Sequence, residues 1–191
     1  MVARFGSSRR EIPAERLEDD TILLRQPEER DVRWLVGMHQ DSLIPRFTGV
    51  PHPYSELDAR AWIAAAPGRL SAGEGADFVI MDREDQRLLG TVGLVRVRWE
   101  DLTAEVGYSL AAGARGHGYA TRAVELVTRW AFDELGMRRM ELTTHVDNAR
   151  SQAVAERAGY KREGVMRSYR VLRDRRVDLV MFSRLPRDPV P

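Results

Sequence analysis

No cysteine occurs anywhere in the 191 residues. That excludes a disulfide scaffold, a thiolate metal site and a cysteine nucleophile together. Lysine is nearly missing too: Lys161 is the only one among 30 basic residues. Arginine suits phosphate binding, although coding bias explains the excess without any function. No apolar run approaches the roughly 20 residues that span a bilayer. The first 20 residues carry arginines but no apolar stretch, so no secretory signal is expected and a cytoplasmic home is the default. Net charge is only +1, which gives no global attraction to nucleic acid or to an anionic membrane. His39, His52, His117 and His145 lack ligand-like spacing, and no metal is expected.

What is present supports one globular α/β domain: 43% hydrophobic residues and enough chain for a real core. There is no internal repeat, linker or low-complexity segment. Residues 1–20 read as a polar, loose or peripheral arm, residues 21–186 as the domain, and 187–191 as a tail. Thr21–Arg25 reads as a strand and Pro27–Asp41 as an amphipathic helix with Val32, Leu35 and Val36 inward. Ser55-Glu56-Leu57-Asp58 resembles a capping box that opens a second helix through Ala65, with Pro67–Gly75 as a loop. Asp77–Asp82, Arg87–Trp99 and Ala104–Leu110 read as an antiparallel meander. A long helix is expected from Gly118 to Leu135, with Ala120, Val124, Val127, Ala131 and Leu135 inward and Gly136 at its stop. Arg138–His145 is the next strand, Asn148–Ala158 the next helix, and Tyr160–Arg173 with Arg175–Leu185 a closing hairpin. The sum is a mixed, mostly antiparallel sheet of about seven strands flanked by about four helices.

The chemistry concentrates between Ala104 and Tyr160. A strand ends at Leu110, a loop holds Gly113, Gly116 and Gly118, and a helix follows. Glycine lets a backbone turn tightly and a ligand approach closely. Free N–H groups at a helix N-terminus bind phosphate, and Arg115 adds a charged fork. A Walker A loop fails, because Gly118-Tyr119-Ala120 stands where Gly-Lys-Ser/Thr is needed. A dinucleotide fingerprint fails at Thr121, and Glu141 lies too early in the next strand. A plain glycine-rich turn remains the bland reading of the loop taken alone.

The wider pattern resembles the GNAT acetyltransferase superfamily. Arg115, Gly118 and Ala120 match its Q/R-x-x-G-x-G/A phosphate loop, which the family places after its fourth strand and before its third helix. Asn148 at the opening of the next helix and Gly159-Tyr160 at its end also match, and the resemblance runs from Thr21 to Leu185. Asn148-Ala149-Arg150-Ser151 and Ala104-Glu105-Val106-Gly107-Tyr108 look most like the RimJ/RimL branch, which acetylates ribosomal-protein N-termini.

The resemblance implies acetyl-CoA as donor. Backbone groups of Tyr108, Ser109 and Leu110 would pair with the pantetheine arm, and those of Arg115, Gly116, His117, Gly118, Tyr119 and Ala120 would take the pyrophosphate. A backbone amide on the fourth strand would polarise the thioester carbonyl, an oxyanion-hole role worth roughly 3–4 kcal/mol. Asn148 would touch pantetheine, or simply cap its helix. Many family members carry a proton-donating tyrosine seven residues after this asparagine; here that position is Ala155, a departure. RimJ/RimL-type enzymes are proposed to use a serine at the Ser151 position instead, and Ser151 is the candidate proton donor. Glu105 is the candidate base, against the bland reading of a half-exposed sheet carboxylate paired with arginine. Asp178 fits an aspartate common in the closing hairpin and receives no role. Trp34 or Trp62 could line the acceptor slot.

With no cysteine to carry an acetyl group, direct attack of a neutral amine in a ternary complex is expected. At pH 7.5 a lysine amine is only about 0.1% neutral, whereas an α-amine is roughly a third neutral. A site without a strong base therefore suits a protein or peptide α-amine, with a small-molecule amine (antibiotic or polyamine) or a non-catalytic acyl-CoA sensor as alternatives. The expected partners are acetyl-CoA and that amine, with a homodimer left open, and neither nucleic acid nor membrane.

Overall fold

The computed structural model describes residues 11–13 and 16–189. Its strands are β1 (Leu17–Glu18), β2 (Ile22–Arg25), β3 (Ala76–Asp82), β4 (Leu88–Arg98), β5 (Thr103–Leu110), β6 (Arg139–His145), β7 (Lys161–Leu172) and β8 (Arg175–Arg184). Its helices are α1 (Val32–His39), α2 (Leu43–Phe47), α3 (Glu56–Ser71), α4 (Tyr119–Asp133) and α5 (Ala149–Arg157). One sheet runs in the order β1-β2-β3-β4-β5-β6-β8-β7, antiparallel except where β5 meets β6.

Alternation along the strands divides the core in two. Ile22, Leu24, Phe78, Ile80 and Val92 face α4, whose Ala120, Ala123, Val124, Val127 and Ala131 are buried against them. Phe78 meets Trp130 edge to face at 5.7 Å. Leu23, Val79 and Met81 point the other way, toward Trp62 of α3. There α1 and α3 close a second cluster around Val32, Leu35, Tyr54 and Ala59.

The sheet has eight strands rather than about seven and five helices rather than about four. The extra strand lies in the segment expected to be loose. Leu17↔Leu24 pairing, the buried Ile12 and its N–H bonded to the Leu70 carbonyl tie the described part of the arm down. The extra helix is α2, five residues with too little periodicity to show in sequence. The Ser55–Asp58 capping box forms as expected, but α3 continues through Pro67 to Ser71 instead of ending at Ala65. Leu70 is buried and Arg69 is anchored on Asp77, so tertiary contacts carry the helix past a residue that usually stops one. No described helix is long and apolar enough to cross a membrane.

Two irregularities place the site. A bulge in β4 at Val95 disturbs the register opposite Glu105 and Val106. At the same level β5 parts from β6: their pairing covers only Thr103↔Arg139, Ala104↔Met140 and Glu105↔Glu141. Beyond that point β5 is held only by β4, and β6 only by β8. A cleft opens between two strands that elsewhere share a sheet.

Candidate active site

The cleft leads into a cavity of about 670 Å³. Its walls come from β4 and β5, from Thr143 and Thr144 on β6, from Asn148 and Ser151, and from the 47–62 segment and Arg170 across the opening. Trp62 lines it; Trp34 packs instead into the α1–α3 cluster.

Just past β5 lies the glycine loop. Gly116 and Gly118 both have left-handed backbones, φ +85° and +82°. A Cβ at either would meet nothing within 4 Å, so conformation rather than crowding calls for glycine. Gly118 caps α4 without a side-chain bond, and the first intrahelical bond runs from Arg122 N–H to the Gly118 carbonyl. The N–H groups of residues 116–121 therefore have no acceptor among the described residues. The Thr121 hydroxyl, in the same first turn, is buried and equally without a partner. A run of free donors at the positive end of a helix, beside open space, fits a pyrophosphate.

Arg115 departs from the expected fork. Its guanidinium pairs with Asp41 at 2.8 Å and donates to the Leu110 carbonyl at 2.9 Å, so it braces the loop from behind. Leu110 is buried with that carbonyl already engaged. Tyr108 and Ser109 line the cavity. His117 is exposed and stacks on Tyr119, whose hydroxyl donates to Asp82 at 3.1 Å. Ala120 is buried under the helix start.

Asn148 caps α5: its Oδ1 accepts from the Ser151 N–H at 3.2 Å, a bond type worth roughly 1 kcal/mol. It lines the cavity as well, and its amide nitrogen has no partner among the described residues. Capping and ligand contact are thus compatible. The Ser151 hydroxyl accepts a hydrogen bond from the Tyr108 hydroxyl at 3.0 Å. Burial pushes the Tyr108 pKa above its ordinary value of 10.0, partly offset by that bond, so the phenol stays protonated at neutral pH. Ala155, one turn on, is fully buried in the core.

Glu105 is buried, not half-exposed. The Thr143 hydroxyl donates to its Oε1 at 2.6 Å, and Arg96 and Arg170 approach its two oxygens at 3.7 and 3.8 Å. Asp178 holds the hairpin: its Oδ1 accepts from the Ser168 N–H at 2.7 Å, inside a bulge where Met166↔Leu179 is followed by Arg170↔Val177.

Residues 21–161, well over half of the chain, match the acetyltransferase (GNAT) domain family. The chain belongs to that family. This GNAT acetyltransferase is 27% identical over 175 residues to an uncharacterized N-acetyltransferase, p20, of Bacillus licheniformis, covering 91% of the chain and 98% of the relative. It is 28% identical over 131 residues to the ribosomal-protein-serine acetyltransferase of Escherichia coli, covering 69% and 72%. Two solved structures share its fold at 22% identity. One is RimL, the ribosomal L7/L12 α-N-protein acetyltransferase in complex with coenzyme A, with a TM-score of 0.81 over 90% of this chain and 98% of that one. The other is the microcin C7 self-immunity acetyltransferase MccE with acetyl-CoA and AMP, with a TM-score of 0.79 over 87% and 93%.

Sequence reasoning missed Arg96, Arg170 and Thr143 around Glu105, the Asp41 partner of Arg115, and the Tyr108–Ser151 bond in this acetyltransferase. Each joins residues far apart in the chain. A single sequence has no period or spacing that announces such meetings. The Arg173 contacts are of the same kind: its guanidinium reaches from the hairpin tip to the Pro45 and Val50 carbonyls at 2.8 and 3.0 Å, holding the 45–50 segment beside the cavity.

Proposed function

We propose that this GNAT enzyme transfers the acetyl group of acetyl-CoA directly to a primary amine, and that the acceptor is the α-amine of a protein or peptide. The observation that carries the donor assignment is the run of unbonded N–H groups at residues 116–121, which begins at the two left-handed glycines, Gly116 and Gly118, and continues into the first turn of α4. Those groups hold the pyrophosphate. The open edge of β5 at Tyr108 and Ser109 receives the pantetheine arm, and Asn148 supplies its free amide nitrogen. Bound there, acetyl-CoA offers an acetyl thioester to an amine arriving through the cavity.

Ser151 holds the proton for the departing sulfur. Because the Tyr108 hydroxyl donates to Ser151, the serine's own O–H is free to point into the cavity. Tyr108, kept protonated by burial, then replaces the proton that Ser151 gives up, and the proton that the amine nitrogen sheds on becoming an amide returns to Tyr108 through solvent in the cavity. Glu105 has both oxygens approached by Thr143, Arg96 and Arg170, so its part is to fix charge in the acceptor pocket rather than to take a proton from the amine unaided. The incoming amine must then arrive neutral, which favours an α-amine over a lysine side chain. The likeness to the ribosomal-protein-serine acetyltransferase points the same way.

The test is a thiol-release assay with N-terminal peptides, polyamines and amino-bearing antibiotics as acceptors, followed by initial-velocity analysis. Turnover of peptides with intersecting double-reciprocal lines is expected. Parallel lines, or an acetylated enzyme isolated without acceptor, would contradict direct transfer. Turnover of an antibiotic alone would move the acceptor to small molecules.

A further inference from the structure

Five charged side chains line the cavity, and they are not equally satisfied. Asp58 accepts from the Ser55 N–H at 2.8 Å and from its hydroxyl within the α3 cap. Asp77 is held by Arg69. Glu105 has the Thr143 hydroxyl. Arg96 and Arg170 have only Glu105, at 3.7 and 3.8 Å, beyond hydrogen-bonding reach, and no other partner among the described residues. Two guanidiniums therefore share one carboxylate, and their side chains remain 49% and 44% exposed while that of Glu105 is 6% exposed. Guanidinium donors left half-exposed in a cleft, two of them around a single carboxylate while Asp58 and Asp77 are satisfied elsewhere, are equipped to take a planar anion.

The two arginines come from opposite sides. Arg96 follows the β4 bulge, and Arg170 follows the β7 bulge that Asp178 pins through Ser168. Outside the cavity the same sign continues. Residues 161–176 hold seven basic residues against two acidic ones, a local charge of +5 in a chain whose total is +1. Arg162, Arg167 and Arg175 are exposed there with no partner among the described residues, and Val165, Tyr169 and Val171 are exposed between them. A small amine in the cavity would meet only Arg170 of this hairpin. A polypeptide would use both.

We propose that Arg96 and Arg170 form an anion-binding fork beside the acceptor amine, and that the acceptor is an acidic polypeptide whose free N-terminus enters the cavity while its further acidic residues lie along the β7–β8 hairpin. This rests on the reading of the protein as an α-amine acetyltransferase and adds the chemistry that selects among α-amines. The fork acts on binding: it places the amine and leaves proton handling to Ser151.

The experiment measures kcat/KM with acetyl-CoA for three peptides of equal length, each with a free N-terminal serine followed by two glutamates, two glutamines or two lysines. At low ionic strength the glutamate peptide is expected to exceed the glutamine peptide by about tenfold, one close charge pair in free energy, chiefly through KM. The lysine peptide should be slowest. In the Arg96→Gln/Arg170→Gln variant the glutamate-to-glutamine ratio should fall toward one. In the wild type the same ratio should shrink as salt is raised, which decides the matter even if the variant folds poorly. A ratio near one, a preference for lysine, a ratio unmoved by the double substitution, or one unmoved by salt would each overturn the fork. Free aspartate and phosphoserine are run alongside, and faster turnover of either than of any peptide would overturn the polypeptide assignment. Equal acetylation of all three peptides removes this inference while leaving acetyl transfer intact. Failure to acetylate any amine removes the functional reading itself.

Discussion

The two walls of the cleft are made of different material. On the proposed donor side, from Tyr108 to Thr121, the groups on offer are backbone N–H donors and a strand edge, with side chains such as Arg115 turned to bracing. On the proposed acceptor side the groups on offer are side chains, Glu105, Arg96, Arg170 and Trp62, brought from four separate elements. A backbone site needs only the right conformation, which Gly116 and Gly118 secure locally, so one short motif can specify it. A side-chain site depends on tertiary convergence and can change its selectivity without disturbing the other wall. On the proposed reading, one face is generic to the reaction and the other sets the substrate.

The sharpest way to break that division is Gly118→Asp. It forces a side chain onto a backbone at φ +82° and puts a negative charge among the free N–H groups. Acetyl-CoA affinity should drop by about a hundredfold or more, since like charges brought together cost several kcal/mol. Calorimetry checks it, and a variant that binds acetyl-CoA normally would mean the loop holds something else. Ser151→Ala comes next. It should lower kcat by about a hundredfold with a smaller change in the acetyl-CoA KM, as for a group acting mainly in the transition state. Tyr108→Phe should cost less, about tenfold, the scale of one hydrogen bond, because water can replace its proton but not its bond to Ser151.

A smaller substitution sharpens the independence of the walls. Arg173→Ala removes the bonds that tie the hairpin tip to the Pro45 and Val50 carbonyls. About 1 kcal/mol is at stake, so the acceptor KM should rise by about fivefold while the acetyl-CoA dissociation constant stays put. An equal loss at both substrates would show that the walls are mechanically coupled.

The smallest effect is one of pH on stability. His39 borders the cavity, stacks on Tyr54 at 4.1 Å, and has its pKa lowered from 6.5 chiefly by burial, with the Leu35 carbonyl opposing in part. The folded state keeps the ring neutral, whereas the unfolded chain protonates near 6.5. The contribution of His39 is therefore present above that value and lost as pH falls below it. The melting temperature should decline on acidification through this range, and His39→Gln should flatten that part of the curve.

How much was legible in the sequence follows the same division. The meander, the long α4 helix, the capping box and the closing hairpin all showed in periodicity, because each is a local pattern. The glycine loop and Asn148 showed for the same reason. Three elements did not: β1, which exists through pairing with β2; α2, too short for a period; and the far end of α3, carried past Pro67 by Leu70 and Arg69. At the site, Glu105 reads in sequence as the candidate base or else as a half-exposed sheet carboxylate paired with an arginine. Its burial and the identity of its partners Thr143, Arg96 and Arg170 are announced by nothing in its sequence neighbours. Arg115 looked like a phosphate fork because Asp41, its partner, lies 74 residues earlier. Side-chain convergence is a tertiary fact, and it hid the acceptor wall.

The most direct test of the central claim is a competition between two peptides, one with a free N-terminus and one N-blocked but carrying a lysine, with acetyl-CoA and wild-type protein, mapped by mass spectrometry. Acetylation should fall on the free α-amine and spare the blocked peptide's lysine. Modification of that lysine in preference to the α-amine would contradict the account.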